Sequence, residues 1–382
     1  MKRLLVLFVA ASFFASPLVA DSIVYSSLVP KTAKSMAMGG VFSSVPTAEF
    51  SFFGNPAAFA SNDATFFFPS IDMWGYVRPT VSNITALANS ASDRNSLLST
   101  AFGLMAQNGG TGAGLSAGLG YAGKGFALGF FATSDEAAYG TSAVSATLDS
   151  ESELTGIVGL GFPIDLGFMH LSIGGDFRPF YRVDCYQADG QTLANLVTAG
   201  DPWSSLYAAS FFGAAVDLGA TLEFGSFTVG LSVRDIAPSY NISYSTLSEL
   251  QNSLASGNLP SSSGSANTAV FLPDISAGLS WKPKICNLVE PAFYLELKDP
   301  VTVFQNYDGI GSALNLVHAG AEVRLLKFIY LRGGINRGWF SAGGGIKLLC
   351  FEVNAAVFTE ELGALAGDDP RSGFAVEAAI RF

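Results

Sequence analysis

The chain has 382 residues, of which 49% are hydrophobic and only 13% are charged, and its formal net charge at pH 7 is −11. Soluble domains carry roughly 25% charged residues, so this composition disfavours a soluble globular fold. The acidic balance also excludes nucleic acid as a partner, because phosphate binding needs a basic face.

The first twenty residues have the three parts of a secretory signal peptide. Lys2 and Arg3 form the basic start, residues 4–15 are an apolar run, and a stretch of small residues ends at Ala20. A run of about 12 apolar residues is too short to cross a bilayer, which needs roughly 20. The sequence therefore predicts a signal peptide over residues 1–20 that is cleaved after Ala20.

The next segment, residues 21–62, shows little strand-like alternation, and we call it the N-terminal segment. Its two motifs contain Met36, Met38, Gly39 and Gly40, and then Asn55, Pro56, Ala57 and Phe59. Paired glycines permit tight folding of the chain. A residue before proline is biased away from helix, so the second motif predicts a turn that leads into the first strand.

From residue 63 onward, apolar and polar side chains alternate with the period of a β-strand. In the last strand one face is purely apolar and consists of Phe374, Val376, Ala378, Ile380 and Phe382. The opposite face carries Glu377 and Arg381. Such a strand suits a wall between lipid and a polar lumen. Its terminal aromatic residue is the address that bacterial outer-membrane barrels present to their assembly machinery.

The alternation and the turn signals predict about 14 strands. Their spans are 64–76, 111–122, 125–135, 152–163, 166–184, 206–223, 227–240, 268–283, 291–303, 312–325, 327–336, 338–348, 349–360 and 371–382. Short and long connections alternate, as the periplasmic turns and outer loops of outer-membrane barrels do. We therefore predict an all-β fold, a transmembrane antiparallel β-barrel over residues 63–382 with both termini in the periplasm.

Two of the long loops contain helical patterns. One covers residues 83–107, and the other covers residues 245–256, where Leu247, Leu250 and Leu254 follow a helical spacing. These helices either form an apolar rim above the barrel mouth that collects hydrophobic ligand, or simply pack on other loops.

The polar faces of the strands mix both signs of charge. They hold Asp176, Arg178, Arg234, Glu296, Lys298, Glu322, Arg324, Arg332, Glu352, Glu377 and Arg381. About 14 strands enclose a narrower lumen than the 16–18 of a porin. The N-terminal segment is long enough to plug that lumen, and a salt link from Glu377 or Arg381 to Lys31 or Glu49 is expected.

No catalytic, cofactor or metal-binding signature is present. His318 shares a polar face with Glu322 and Arg324, but no nucleophile motif accompanies it, so a structural role is favoured. The glycines of residues 343–345 lack the ending of a phosphate-binding loop and fit a close approach of backbone. Cys185, Cys286 and Cys350 lack metal-ligand spacing, and they allow either one disulfide or three free thiols.

The two motifs of the N-terminal segment resemble the hatch of the FadL-like outer-membrane transporters of long-chain fatty acids. The resemblance is to Ser35–Val41 followed by Asn55–Phe59, and it looks closest to the FadL-like paralogues of spirochaetes. The chain departs from the family pattern at Ser43, Ser44 and Thr47, where an acidic residue is common, and Glu49 is a displaced candidate.

The resemblance implies passive uptake of long-chain fatty acids or other hydrophobic molecules through the bacterial outer membrane. Ligand would be captured by the outer loops and would pass when the hatch moves, without an energy source. The partners implied are the ligand, outer-membrane lipid and the barrel assembly machinery. The alternative is a non-transporting barrel that acts as a secretion scaffold or surface adhesin. An outer-membrane enzyme is a third and weaker alternative.

Overall fold

The computed structural model describes residues 23–47, 49–78, 80–105, 110–139, 147–188, 206–259, 269–286, 288–298, 310–363 and 365–382. The expected signal peptide, residues 1–20, lies outside the described residues. The dominant element is a closed antiparallel barrel of 14 strands, which confirms the predicted fold and strand number.

Each predicted strand corresponds to one strand of the barrel wall. In chain order the wall strands are β2 (Thr65–Tyr76), β3 (Gly110–Gly123), β4 (Phe126–Tyr139), β5 (Thr147–Asp165), β6 (His170–Ala188), β7 (Tyr207–Phe224), β8 (Phe227–Thr246), β10 (Asp274–Trp281), β11 (Val289–Lys298), β12 (Val317–Leu325), β13 (Ile329–Asn336), β14 (Trp339–Leu348), β15 (Phe351–Glu361) and β16 (Pro370–Arg381). Two further short strands, β1 (Ile23–Tyr25) and β9 (Ala269–Phe271), pair in parallel outside the wall.

The barrel closes between its first and last wall strands, as the sequence predicts. Strand β16 pairs with β2, and the backbone groups of Phe66 and Phe382 exchange two hydrogen bonds with N···O distances of 3.1 and 2.8 Å. The rings of the same two residues stack with their centroids 6.3 Å apart. The terminal phenylalanine therefore completes the last rung of the wall.

The two ends of the barrel differ in their connections. At one end, which we call the turn end, the strands are joined by short turns such as residues 124–125, 225–226 and 349–350. At the other, the loop end, most connections are long, and residues 337–338 are the short exception. Both chain ends of the wall lie at the turn end, in agreement with the even strand number.

The described helices lie in the N-terminal segment and at the loop end. They are α1 (Ala33–Ala37), α2 (Val81–Ser90), α3 (Arg94–Met105), α4 (Leu247–Ala255) and α5 (Ile310–Asn315), with two 3₁₀ helices at Phe50–Phe52 and Pro56–Ala60. The helical pattern predicted over residues 83–107 corresponds to two helices, α2 and α3, and the pattern over residues 245–256 corresponds to α4. Helix α4 begins with a capping box, in which Thr246 and Glu249 satisfy each other's backbone N–H groups.

Two predicted strand spans need correction. The span 268–283 is interrupted at residues 272–273, and its first part is β9, which lies outside the wall. The span 312–325 begins as helix α5, and the strand starts only at Val317. Pro273 explains the first interruption, because proline cannot donate a hydrogen bond to the ladder.

The alternation of side chains matches the expected wall. In β16, the even-numbered residues face outward, and Arg371, Glu377 and Arg381 are buried on the inner face. At the turn end, Phe227, Trp281 and Phe293 form a stacked row on the outer surface, with centroids 5.9 and 5.3 Å apart. Aromatic rows of this kind flank the apolar band of transmembrane barrels. Within the described residues, no helix is both long and apolar enough to cross a membrane.

Candidate functional site

The N-terminal segment lies inside the barrel. Of its described residues, Ser35, Val41, Ala57 and Phe59 are completely buried. Helix α1 packs against β13–β16, and the second 3₁₀ helix packs against β3–β7 on the opposite side. The segment therefore crosses the lumen and contacts both sides of the wall.

Inward-facing glycines make room for the segment. A Cβ atom added to Gly174 would lie 2.2 Å from the carbonyl oxygen of Pro56, and one added to Gly334 would lie 2.3 Å from the nitrogen of Gly39. At Gly343 an added Cβ would lie 2.6 Å from Cβ of Ala37, as expected for a close approach at residues 343–345. The glycines of the inner wall thus trace the path of the segment.

The first motif forms a turn that is tied to one side of the wall. Gly39 and Gly40 have φ values of 75° and 78°, in the left-handed region that favours glycine. The N–H of Gly39 donates to Ser341 Oγ at 3.0 Å, and Nδ1 of His318 lies 2.7 Å from its carbonyl oxygen. Nζ of Lys298 donates to the carbonyl oxygen of Gly40 at 2.7 Å.

The two methionines of the first motif flank this turn. Met38 is buried over Gly320 of β12, where an added Cβ would lie 2.6 Å from its carbonyl oxygen. Met36 is buried on α1 and lines a cavity at the loop end of the barrel. The motif therefore combines a wall attachment with an apolar surface beside a cavity.

The second motif is anchored on the opposite side of the lumen. The side chain of Asn55 accepts from the N–H of Ala57 at 3.0 Å and donates to the carbonyl oxygens of Ala220 and Leu231 at 3.2 Å each. Pro56 is the first residue of the 3₁₀ helix, where its missing N–H costs nothing. One side chain therefore caps the helix and joins it to β7 and β8. The two motifs are therefore anchored on different sides of the wall, although Met38 and Phe59 belong to one buried apolar cluster.

Aromatic side chains fill the space between the second motif and the wall. The ring of Phe52 contacts the rings of Phe59, Phe67 and Phe131 with centroids 5.8, 5.7 and 5.2 Å apart, mostly edge to face. Such pairs add about 0.5–1.5 kcal/mol each to the burial term. This end of the segment is fixed mainly by apolar packing.

A layer of paired charges holds the other end. Nε of Arg381 lies 2.9 Å from Glu49, and Nζ of Lys34 lies 2.6 Å from both Glu49 and Glu352. The expected salt link is therefore present between Arg381 and Glu49. Burial acts to raise the pKa of Glu49, but the charges of Arg381 and Lys34 outweigh it and hold this pKa below its ordinary value.

Lys31, the other expected partner, binds elsewhere. Its Nζ lies 2.6 Å from Glu360, which also pairs with Arg371 at 2.7 Å. The predicted link from Lys31 to Glu377 or Arg381 is thus wrong. Glu377 and Arg381 lie deeper along β16, whereas Glu360 is near the loop end of β15, the depth at which Lys31 enters the lumen.

A second charged cluster ties the start and the middle of the segment to β7 and β8. Asp235 accepts from Oγ of Ser27 at 2.8 Å. Arg234 donates to the carbonyl oxygen of Phe53 at 3.0 Å and lies 3.4 Å from Asp217. Asp235, Arg234 and Asp217 thus each have a partner of opposite charge or a hydrogen-bonding group, as burial in a lumen requires.

Two cavities remain between the segment and the wall. The upper basin, of about 640 Å³, lies at the loop end and is bordered by strand ends that carry Lys298, Arg337 and Glu361. The inner cavity, of about 490 Å³, lies deeper beside mid-strand residues such as Ser70 and Glu377.

Pro30 and Phe42 line both cavities. The N–H groups of Phe42 and Ser44 both donate to Glu296 at 2.9 Å, which fixes the loop that carries Phe42. The ring of Phe42 lies 5.4 Å from Nζ of Lys298 and 5.4 Å from the ring of Phe50. The boundary between the two cavities is therefore made by the N-terminal segment itself.

The helices at the loop end differ in whether their apolar side chains are packed or are exposed near the barrel mouth. Leu250 of α4 is buried against Cys185 and Ala208, so this face packs on the wall. Helices α2 and α3 instead expose Val81, Ile84 and Leu97 at the loop end, so an apolar surface is available near the mouth.

The remaining residues considered in the sequence are His318 and the three cysteines. His318 is buried against Gly39, which fits its expected structural role. Cys185, Cys286 and Cys350 are all free, which selects three thiols over one disulfide. Within the described ranges, no group of three or more histidine, cysteine or acidic residues is arranged to hold a metal ion.

Sequence reasoning missed the wall residues that hold the segment, especially Glu360, Arg371 and the inner glycines. The glycines did leave a signal, since Gly174, Gly278 and Gly320 occupy polar-face positions of their strands. Asp72, which lines the inner cavity, follows the same alternation, since it lies between the outward-facing Ile71 and Met73.

Comparisons with known proteins give a fold likeness only. No protein-family model matches the chain, and no curated protein matches it. The solved structure of the Pseudomonas putida toluene transporter TodX is 14% identical, with 93% of this chain and 98% of that chain covered and a TM-score of 0.45. The CymD monoaromatic hydrocarbon channel is 12% identical, with 94% and 98% covered and a TM-score of 0.49.

A Pseudomonas aeruginosa FadL homologue is 11% identical, with 93% of this chain and 98% of that chain covered and a TM-score of 0.42. Likeness at this level does not establish the family of the chain. The predicted closeness to spirochaete paralogues stays a prediction.

Proposed function

We propose that the protein is an outer-membrane channel for the passive uptake of hydrophobic small molecules, in which the N-terminal segment is a movable hatch. The observation that carries this proposal is the shared boundary of the two cavities. Pro30 and Phe42, both on the segment, line the upper basin and the inner cavity. We infer that a molecule moving from one cavity to the other displaces part of the segment.

The route begins at the loop end, which we assign to the cell exterior. The exposed apolar residues of α2 and α3 supply a surface on which a hydrophobic molecule adsorbs. The upper basin then receives it beside Met36 and Phe42. Passive flow along this route needs only a concentration gradient, in keeping with the absence of any nucleotide-binding motif in the sequence.

Long-chain fatty acids are the substrates that the resemblance implies. Lys298 and Arg337 at the upper basin suit a carboxylate group. The inner cavity is richer in carboxylates than in cations, which favours ligands without an acid group. The proposal therefore covers fatty acids and other hydrophobic molecules.

The exposed C-terminal Phe382 supports a second part of the proposal, namely insertion by the barrel assembly machinery. Its side chain is 69% exposed on the outer surface at the turn end, although its backbone is fully paired with Phe66. We assign this end to the periplasm, where such machinery meets the last strand. Outer-membrane lipid would contact the apolar outer face of the wall.

Removal of the Phe42 ring tests the proposed route. In cells that display equal amounts of each protein at their surface, we expect Phe42→Ala to increase the initial uptake of labelled naphthalene and labelled oleate, because it widens the boundary between the cavities. Phe340→Ala is the matched control, since that ring is 80% exposed on the outer wall.

Equal uptake by the wild type and by Phe42→Ala would contradict a route past Phe42. If no probe enters faster than in cells without the protein, the alternative of a scaffold or adhesin is favoured.

A further inference from the structure

The inner cavity has two kinds of lining that rarely occur together. One side is aromatic and includes Phe42, Phe53, Phe67 and Phe131. The other side is charged, with the carboxylates of Glu49, Asp72 and Glu377 and the cations of Lys34 and Arg381. Acidic groups thus outnumber basic groups around a cavity whose remaining surface is largely phenyl rings.

Both cations are already engaged. Arg381 pairs with Glu49 at 2.9 Å, with Glu352 at 3.0 Å and with Glu377. Lys34 pairs with Glu49 and Glu352 at 2.6 Å each. Each cation thus has at least two glutamates within 3.0 Å, so a further carboxylate from a ligand would gain little from either charge.

Asp72 is the carboxylate of the inner cavity that takes part in none of these ion pairs. It is only 5% exposed, and its Oδ1 has no hydrogen-bond partner among the residues that the structure describes. Its neighbours across β16 and β3 are Glu377 and Ser116, and the cation of β16 that lines the cavity, Arg381, is already paired with three glutamates. A buried acceptor without a partner costs about 1–3 kcal/mol, more when it is charged.

A ligand cation would satisfy both linings of the cavity. An ammonium group donates hydrogen bonds to a carboxylate, and it is attracted to the negative faces of aromatic rings. A carboxylate ligand would instead lie close to Asp72 and Glu377 and would be repelled. A hydroxyl group would donate one hydrogen bond without the gain of opposite charges.

We propose that the inner cavity binds hydrophobic molecules that end in an ammonium group, with the ammonium at Asp72 and the adjoining carbons among the phenylalanine rings. This inference rests on the proposed uptake of hydrophobic molecules and names a substrate class for it. The inner cavity holds the ammonium group and a few carbons of the ligand. A longer apolar part of the ligand extends past Pro30 and Phe42 toward the upper basin.

Three ligands of similar size and different charge test the inference on the unmodified protein. Calorimetric titration of the purified full-length barrel in a neutral detergent compares 2-phenylethylammonium, 2-phenylethanol and 3-phenylpropanoate at neutral pH. We expect the ammonium compound to bind about tenfold more tightly than the carboxylate, with the alcohol between them. Equal or tighter binding of 3-phenylpropanoate would overturn the inference.

Asp72→Asn tests whether Asp72 causes the tighter binding of the ammonium compound. The substitution keeps the size of the side chain and removes its charge. It should abolish the preference for the ammonium compound and leave the affinity for 2-phenylethanol within about twofold. Asp165→Asn, the same charge change at the exposed last residue of β5, is the matched control and should preserve the preference. An undiminished preference in Asp72→Asn would also overturn the inference.

The proposed function is judged separately by the uptake experiment with Phe42→Ala. Uptake of neutral naphthalene through Phe42→Ala, combined with no preference for the ammonium compound, would leave the channel intact and reject the ammonium site. The two proposals can therefore fail independently.

Discussion

The two parts of the N-terminal segment are held inside the barrel by different forces. The front part, residues 26–49, is attached largely through ion pairs and charged hydrogen bonds, such as Lys31 with Glu360 and Glu49 with Arg381. The back part, residues 50–62, contains no charged residue and is packed mainly through aromatic rings, whereas wall glycines admit the backbone of both parts. Pro30 and Phe42, which separate the cavities, belong to the front part.

This difference indicates which part moves. Ion pairs between long side chains can exchange partners or water while the chain shifts, whereas close packing is lost abruptly when its partners separate. We therefore expect the front part to open and the back part to remain as the anchor. The predictions below test this division.

The largest expected effect is the decrease in the free energy of unfolding when the aromatic packing of the back part is removed. Phe52→Ala removes a buried ring that contacts three others, and it should lower the free energy of unfolding by about 3–5 kcal/mol. Urea unfolding of the barrel in detergent measures this change. Phe340→Ala removes an outward-facing ring and should have a much smaller effect. Equal effects would argue against a packed anchor.

A side chain on an inner glycine tests the same anchor from the wall. Gly174→Val brings a Cβ atom within about 2.2 Å of the Pro56 carbonyl oxygen, so it should destabilise the barrel by about 1–3 kcal/mol or prevent the back part from docking. Protection of residues 56–60 from hydrogen exchange reports docking. Gly333→Val adds the same side chain where the nearest atom is 3.9 Å away and should leave protection unchanged.

Removal of one charge should affect only the front part. Glu49→Gln leaves Arg381 with one fewer carboxylate and should cost about 1–2 kcal/mol of local stability. We expect faster hydrogen exchange at residues 33–42 and unchanged exchange at residues 56–60. A parallel increase in both stretches would show that the segment moves as one body.

Lowering the pH should also speed hydrogen exchange at residues 33–42, but by less than Glu49→Gln does. The pKa of Glu49 is lower in the folded protein than its ordinary value of 4.5, so its stabilisation is complete above that value and is lost as the pH falls through the lowered pKa. Protection of residues 33–42 should therefore decline below about pH 4. In Glu49→Gln the acid-dependent part should be smaller, and an identical decline would exclude Glu49 as its source.

The wall was predictable because every strand faces the same contrast between lipid outside and polar groups inside. That contrast repeats with period 2, so residues 373–382 alone indicate the face of each side chain. The split of the span 268–283 was also within reach, since Pro273 interrupts it. Helix α5 left no comparable signal before Val317.

The lumen was harder to predict because its contacts join residues that are far apart in the chain. Glu49 and Lys31 are both charged residues of one irregular segment, and only the path of that segment decides that the first meets Arg381 and the second Glu360. The same path decides that Oδ1 of Asp72 has no hydrogen-bond partner among the described residues. Inner-face glycines such as Gly174 are the sequence feature that best marks this path.

A reversible cross-link tests most directly the claim that the front part must move. Oγ of Ser43 in the front part lies 3.0 Å from Oγ of Ser232 on β8, so cysteines at both positions are placed to form a disulfide. The pair is introduced after the free cysteines at 185, 286 and 350 are replaced by serine. Each single cysteine variant is the matched control.

Initial uptake of labelled naphthalene is then measured before and after reduction, at equal surface amounts of protein. The account predicts that the oxidised double variant takes up no more probe than cells without the protein, and that reduction restores uptake to the level of the single variants. Full uptake by the oxidised double variant would contradict a moving front part.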